Sequence, residues 1–252
     1  MAESCLPDEK VVDVAGPGPL KLVKVKGSDL QRKYFLQADD VIIAVNGKYW
    51  SQIASIEDTV RTAIERTRRP ILATVVRENK MFSVFVSTPF PKDSLVLAGV
   101  EAKAFSEFNT SMSIAYIRTL SNYAILADGE NAADVFEMRK SFLAMVFPPL
   151  WLILRRLWEQ LAAFTCAILT AYVVHQFLGL LIYFFMCLYV GIRQVPLGLS
   201  SMQREGMERR MVVAASDEHN AQTVALHFND KLQFKFTNRE KADGLTIDVE
   251  IV

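Results

Sequence analysis

Three histidines, three cysteines and the adjacent carboxylates Asp39 and Asp40 are the residues with most scope for chemistry in this 252-residue chain. Their spacing argues against that use. His219 and His227 stand eight apart on one predicted helix, too far to share a metal ion, and fit solvated surface positions. Asp39 and Asp40 are neighbours at a predicted strand, where successive side chains point to opposite faces, so a capping or turn role fits them better than a catalytic pair. Cys166 and Cys187 lie in an apolar run as small hydrophobes, and Cys5 lies in the N-terminal tail. None has metal-ligand spacing, and no phosphate-binding glycine loop or nucleophile motif is present. His175 is sharper, because an ionisable group inside an apolar stretch is a functional candidate by default. It falls at an expected turn, however, where headgroups or water can satisfy it. These residues predict no enzyme, no cofactor and no metal.

The elements around them are set by solvent. From Gln160 to Ile192 the chain runs 33 residues without Asp, Glu, Lys or Arg. An uncharged apolar run beyond about 18 residues reads as membrane-spanning. A single helix of that length would be roughly 50 Å long against a hydrocarbon core of about 30 Å. One steeply tilted span is an alternative; two short spans fit better, at Trp158–Val174 and 177–192, with His175, Gln176 and Gly179 at the turn. Arg155 and Arg156 precede the run, and Arg193, Arg204, Arg209 and Arg210 follow it. Basic residues at both ends predict an even number of crossings with both ends cytoplasmic. Residues 142–154 form a second apolar segment, interrupted by Pro148 and Pro149 and too short to span. It reads as an interfacial or re-entrant wedge, or else as a helix packed on a soluble domain. Trp151, Arg155, Arg156, Trp158 and Arg193 are the expected membrane-interface residues, with Tyr172, Tyr183 and Tyr189 as further aromatic candidates.

The formal net charge is zero, so nothing global points to nucleic acid. The N-terminal stretch is polar with no apolar leader, which predicts a flexible tail over 1–15 and a cytoplasmic side for residues 1–140. A β-rich domain is expected over 16–95. Leu20, Leu22 and Val25 interleave with lysines as a half-buried strand over 20–25. An apolar strand runs into Asn46-Gly47, a tight-turn dipeptide. A helix over 56–66 presents Ile56, Val60, Ala63 and Ile64, and Ile71–Arg77 with 81–86 forms a strand pair. Arg61, Arg66, Arg68 and Arg69 either meet anionic lipid, at about 1 kcal/mol each, or complement the helix dipole.

At Gly27-Ser28, Leu36-Gln-Ala-Asp39-Asp40-Val41-Ile42, Asn46-Gly47, the 56–66 helix and Val75-Val76-Arg77, the chain resembles a PDZ domain of the bacterial type. The resemblance implies a β-barrel or sandwich with helices that captures an extended peptide by strand addition. Its groove candidates are Gly18, Leu20, Leu22, Val23, Val60 and Ile64, between the 20–25 strand edge and the helix. The family's carboxylate loop falls on Gly16-Pro17-Gly18-Pro19, where two prolines remove N–H donors, so internal strands or a purely structural role stay open. Asp39 also stands where the family has glycine.

Residues 113–230 resemble a bacterial inner-membrane family of unknown function. The likeness rests on Phe147-Pro-Pro-Leu-Trp151-Leu-Ile-Leu-Arg155-Arg156-Leu157-Trp158, the apolar hairpin, and Arg204-Glu-Gly206 ahead of an apolar strand. The remaining chain divides into a connecting β-containing segment over 96–140, with strands at 95–100 and 113–117 and a turn at Asp128-Gly129, and a cytosolic α+β domain over 194–252. In the latter, a strand over 211–215 leads to a helix capped by Ser216, then strands over 232–236 and 245–252 around Asp243-Gly244. The expected class is therefore an α+β membrane protein: a PDZ-like domain, the wedge over 141–157, a transmembrane hairpin over 158–193, and a small C-terminal domain. It reads as a membrane-anchored adaptor that holds a protein partner at the bacterial inner membrane. The alternative is an accessory subunit of a transport or assembly complex, acting through small residues Ala162, Ala171, Gly179 and Gly191.

Overall fold

Two hairpin turns shape the first sheet, and residue type accounts for the first of them. Asn46 and Gly47 take φ of 50° and 74°, and Glu78 and Asn79 take 49° and 62°, the left-handed pairs that suit two-residue hairpins. The computed structural model describes residues 18–91, 93–108 and 112–234. The expected tail, Gly16, Pro17, and the strand and turn beyond residue 234 lie outside them. In chain order the N-terminal elements are β1 (Leu20–Lys21), α1 (Asp29–Tyr34), β2 (Val41–Val45), β3 (Lys48–Tyr49), α2 (Ile56–Thr67), β4 (Ile71–Arg77), β5 (Lys80–Val86) and β6 (Leu95–Val96). They form an open sheet in the order β5-β4-β2-β1-β6, with β3 on β2. No barrel closes.

Helix α2 begins at Ser55, whose hydroxyl accepts from Asp58 N at 3.2 Å, an ordinary N-cap. It packs on β2 and β4 through Ile56 and Val60, which are buried at about 1.5–3 kcal/mol each. β2 is buried on both faces. Ile42 and Val45 join the main core, while Val41 and Ile43 join a smaller cluster with Tyr49, Val76 and Leu97. The latter is covered by Phe105 and Phe108, which follow α3 (Gly99–Lys103), and the Tyr49 hydroxyl donates to Phe105 O at 2.6 Å. Burial raises the Tyr49 pKa.

The second sheet corrects the expected division of the chain. Helix α4 (Ile114–Thr119) precedes β7 (Ser121–Ala127) and β8 (Ala132–Glu137), and after a long helical insertion come β9 (Glu208–Ala215), α9 (Glu218–Phe228) and β10 (Gln233–Phe234). The sheet order is β10-β8-β7-β9. Strands before and after the insertion thus share one sheet, so 96–140 and 194–252 are not separate units. The strand expected over 113–117 is α4, because Ser113 caps it by accepting from Tyr116 N at 3.2 Å. The strand over 95–100 stops at Val96. The cap of α9 is Asp217, accepting from Asn220 N at 2.8 Å, rather than Ser216. The Asp128 turn forms as expected, its carboxylate accepting from Glu130 N and Ala132 N at 2.9 and 2.8 Å.

The two sheets share one core. The Asn122 amide bonds both backbone groups of Phe85 at 2.8 Å, and the Phe82 and Phe228 rings meet edge to face at 5.4 Å. Between β8 and β9 run α5 (Phe142–Val146), α6 (Pro148–Leu154), α7 (Trp158–Val174) and α8 (Gln176–Arg204). The break between α5 and α6 falls at Phe147, immediately before the prolines. A residue preceding proline is driven out of helical conformation, and proline suits the first turn. α7 and α8 form the hairpin, turning at His175 (φ −164°, ψ 133°), whose Nδ1 accepts from Phe177 N at 3.2 Å. α8 does not stop near residue 192. It runs on to Arg204 because Val195, Leu199 and Met202 pack on the body core. With 29 residues it is about 44 Å long, and it is long and apolar enough to cross a membrane.

Candidate functional site

The most distinctive surface is the helical arm. Among the described residues, all but four of the exposed large hydrophobics lie between Phe142 and Ile192; the others are Val23, Leu95, Ile114 and Tyr116. An apolar patch of this extent marks contact with lipid or another protein. Inside the arm, Ala144, Trp151, Leu152, Leu157, Phe164 and Val190 form a separate core. Trp151 is therefore buried and is not an interface anchor, correcting that expectation. Trp158, Arg155, Arg156 and Arg193 are exposed. Arg155 lies over the Phe136 ring at 5.3 Å, and Arg204 pairs with Glu159. His175 is exposed at the tip, stacked on Phe177. His219 and His227 are exposed on α9.

The small residues mostly serve the arm itself. A Cβ on Gly179 would meet Tyr172 at 3.3 Å, one on Gly191 would meet Met145 at 3.0 Å, and Ala171 is buried. Only Ala162 faces outward. At the arm's foot a Cβ on Gly198 would stand 2.4 Å from the Phe136 ring, so this glycine lets α8 seat against β8. Pro196 lies in the same stretch and removes one helical donor.

The groove expected on the first sheet is not open. β1 is paired on both sides: Leu20 and Lys21 face Ile42 and Val41 in β2, and Val96 and Leu95 in β6. Leu97 N donates to Pro19 O at 2.9 Å. Leu20, Leu22 and Val60 are core residues, Ile64 is half-buried, and Val23 alone of the set is exposed. The alternation in 20–25 is real, but both faces of this sheet are covered, so its apolar side chains point into the interior. Gly18 is needed for close approach, since a Cβ there would stand 2.2 Å from Leu97 O. Gly18→Val is expected to detach residues 95–97 from β1, read as faster amide exchange at Leu97 with exchange in β4 and β5 unchanged.

Spacing alone missed a buried ion pair beneath this edge. Asp40 accepts from Arg77 Nε and Nη2, both at 2.7 Å, and from Gln37 N at 2.7 Å, while Arg77 also donates to Phe35 O at 3.0 Å. Arg77 lies over the Phe82 ring at 5.1 Å. Asp39 sits at φ 71° and pairs with Lys21 at 2.8 Å. The adjacent carboxylates thus have separate structural roles.

A cavity of about 530 Å³ opens where α8 meets β9, lined by Phe35, Gln203, Gly206, Met207, Glu208 and Arg209. Arg209 lies over Phe35, donates to Arg32 O, and keeps a buried Nε without a partner. Burial pushes its guanidinium pKa down.

The model of a family described as a protein of unknown function, DUF2628, matches residues 95–198. The match starts at β6 and ends at Gly198, so it takes in the arm and leaves β1 to β5 outside. No curated protein and no solved structure matches the chain.

Proposed function

We propose that this chain is a membrane-anchored adaptor, inserted in the bacterial inner membrane through α5–α8 and presenting its two-sheet body to a protein partner in the cytoplasm. The observation that carries the reading is the concentration of exposed apolar surface in 142–192, on an arm rooted in a body that exposes only Val23, Leu95, Ile114 and Tyr116 among the large hydrophobics of the described residues. From the tip at His175, α7 runs 17 residues back to Trp158, and 17 residues of α8 separate it from Arg193. Each leg is about 25 Å, slightly short of the hydrocarbon core, which thinning of the bilayer accommodates. Arg155, Arg156 and Arg193 then lie at one level, as two crossings with both ends cytoplasmic require.

A single cysteine at His175, with native cysteines replaced by alanine, tests the topology. It is expected to react with a membrane-impermeant maleimide added to the periplasmic side. Labelling only after the membrane is opened would refute two full crossings.

For the body we retain a PDZ-like role in strand capture. An incoming strand at β1 would have to displace the two-residue β6, whose Leu95 side chain is exposed. The adaptor is tested by capture of the full chain from native membranes in mild detergent, beside Val23→Asp with Leu95→Asp and beside Ala162→Leu with Cys166→Leu. All four residues are exposed. Loss of the same partner with the first pair supports the adaptor. Loss only with the second pair favours the accessory-subunit reading, which Ala162 on the outer face of α7 supports. Because the two sheets share a core, full-length variants are the proper comparison, and deletion of residues 1–95 is not.

A further inference from the structure

We infer that the end of the body from which the arm springs is a second membrane contact, a basic and aromatic face that rests on the anionic headgroups of the leaflet the arm enters. This deepens the membrane reading above and rests on it. The arm's root defines that end. β8 stops at Glu137, and soon after it Ser141 N donates to the buried Gln194 of α8 at 2.7 Å. α8 then runs down the body, with Gly198 against Phe136, and β9 starts at Glu208 opposite Ala127. β7 is antiparallel to β8 and β9, so its Ser121 end is the arm end and its Ala127 end the far one. α8 is one helix from Gln176 to Arg204, so a spanning arm turns the Ser121 end of the sheet toward the bilayer.

One row of contacts carries this level across both sheets. Met138 N donates to Asn122 O at 2.8 Å, and the Asn122 amide bonds Phe85. Phe85 pairs with Leu72, which exchanges bonds of 2.7 and 2.9 Å with Asn46. The far ends match as well, since Lys80 at the start of β5 reaches Phe228 O at the end of α9. On the arm side of the row stand Arg66, Arg68 and Arg69, which lead through Pro70 into β4, then Arg118 on α4, and Arg139 and Lys140 after β8. α4 closes on the Asn46-Gly47 turn, where a Cβ on Gly47 would meet Ile117 at 3.2 Å. All six cations are exposed. None has a carboxylate partner among the described residues, Glu65, Glu137, Asp217 and Glu218 of the neighbouring segments included. Arg61, earlier on α2, pairs with Asp58 and is not part of this face. Ile114 and Tyr116, two of the four exposed large hydrophobics outside the arm, stand on α4 beside Arg118. Exposed arginine with exposed tyrosine and isoleucine suits the headgroup interface. An acidic protein would answer the charges, but it would not account for their lying on the side from which the apolar arm leaves.

The test places the full chain, with native cysteines replaced by alanine, in nanodiscs of phosphatidylcholine with or without phosphatidylglycerol. A fluorophore on Ala115→Cys, exposed on α4, reports quenching by phosphatidylcholine that carries a spin label on its headgroup. A fluorophore on Glu130→Cys, exposed beyond the far end of β7, is the control for distance. In discs with phosphatidylglycerol the first should be quenched and the second not. A basic residue near an anionic surface contributes about fivefold, so Arg68→Gln with Arg69→Gln should weaken the contact roughly 25-fold and remove most of the quenching. Lys26→Gln with Lys231→Gln, a charge-matched pair of exposed residues elsewhere on the body, should leave it unchanged. Salt near 1 M, where the screening length is about 3 Å, should act as the arginine variant does. Absent quenching, equal quenching with and without phosphatidylglycerol, or full quenching in the arginine variant overturns the contact. Retained quenching with loss of an acidic protein from that variant in native membranes would assign the cations to that protein instead. The membrane reading fails separately, if alkaline carbonate strips the wild-type chain from native membranes.

Discussion

Asp40→Ala is expected to destabilise the folded chain by about 3–5 kcal/mol, the usual cost of leaving one member of a buried ion pair alone. Domains of ordinary size have only about 5–15 kcal/mol in hand, so the loss should be visible as a large fall in the urea midpoint of the full chain in detergent. The cost is high because Asp40 is almost fully buried and Arg77 largely so. Without the carboxylate, Arg77 Nε and the Gln37 amide lose their acceptors, and only the 3.0 Å bond to Phe35 O remains. Replacing both partners, Asp40→Ala with Arg77→Met, removes the orphaned charge and should recover part of the loss. An exposed pair makes the contrast. Lys33→Ala removes the contact to Asp29 on α1 and should cost well under 1 kcal/mol. If Asp40→Ala and Lys33→Ala shift the midpoint alike, the pair does not hold β2, β4 and the end of α1 together.

That pair also marks the boundary of what can be read from the chain. Arg77 stands out only as the late arginine of the PDZ-like pattern, and Asp40 only as half of an adjacent carboxylate pair. Their meeting depends on β2–β4 register across 37 residues. Local features are legible for local reasons. Asn46-Gly47 announces its turn through φ preference, Pro70 follows the end of α2, and the uncharged run announces the arm. The turn at His175 falls where polar residues interrupt the apolar stretch. The α8 extension is less legible, since charge returns at Arg193 while the helix goes on, supported by Val195, Leu199 and Met202 against the body. β7 pairing with β9 is less legible still, because the arm separates them in sequence and nothing in either strand names the other. The covered edge of β1 has the same origin: Leu95-Val96 is too short to carry a periodic signal, yet it closes the groove that the PDZ resemblance implies.

Leu180→Arg with Phe184→Arg should release the chain from membranes. The two residues lie four apart on α8, so they share a face, and both are well exposed in the folded chain. Exchange of Leu or Phe for Arg near the middle of a spanning helix costs roughly 3 kcal/mol by insertion scales, so two exchanges cost about 6 kcal/mol or more. That shifts insertion by a factor on the order of ten thousand. The expected readout is transfer of the full chain from the carbonate-resistant pellet to the supernatant. Neither side chain packs on the shared core of the two sheets, so thermal unfolding of the body should be unchanged. This combination separates lipid burial from the two other ways of covering an apolar helix. Were the face covered by the chain's own body, two buried arginines would unfold it. Were it covered by a partner alone, carbonate would already extract the wild type. Retention of the double variant in the pellet, with the body still folded, would show that α8 does not place this face in lipid.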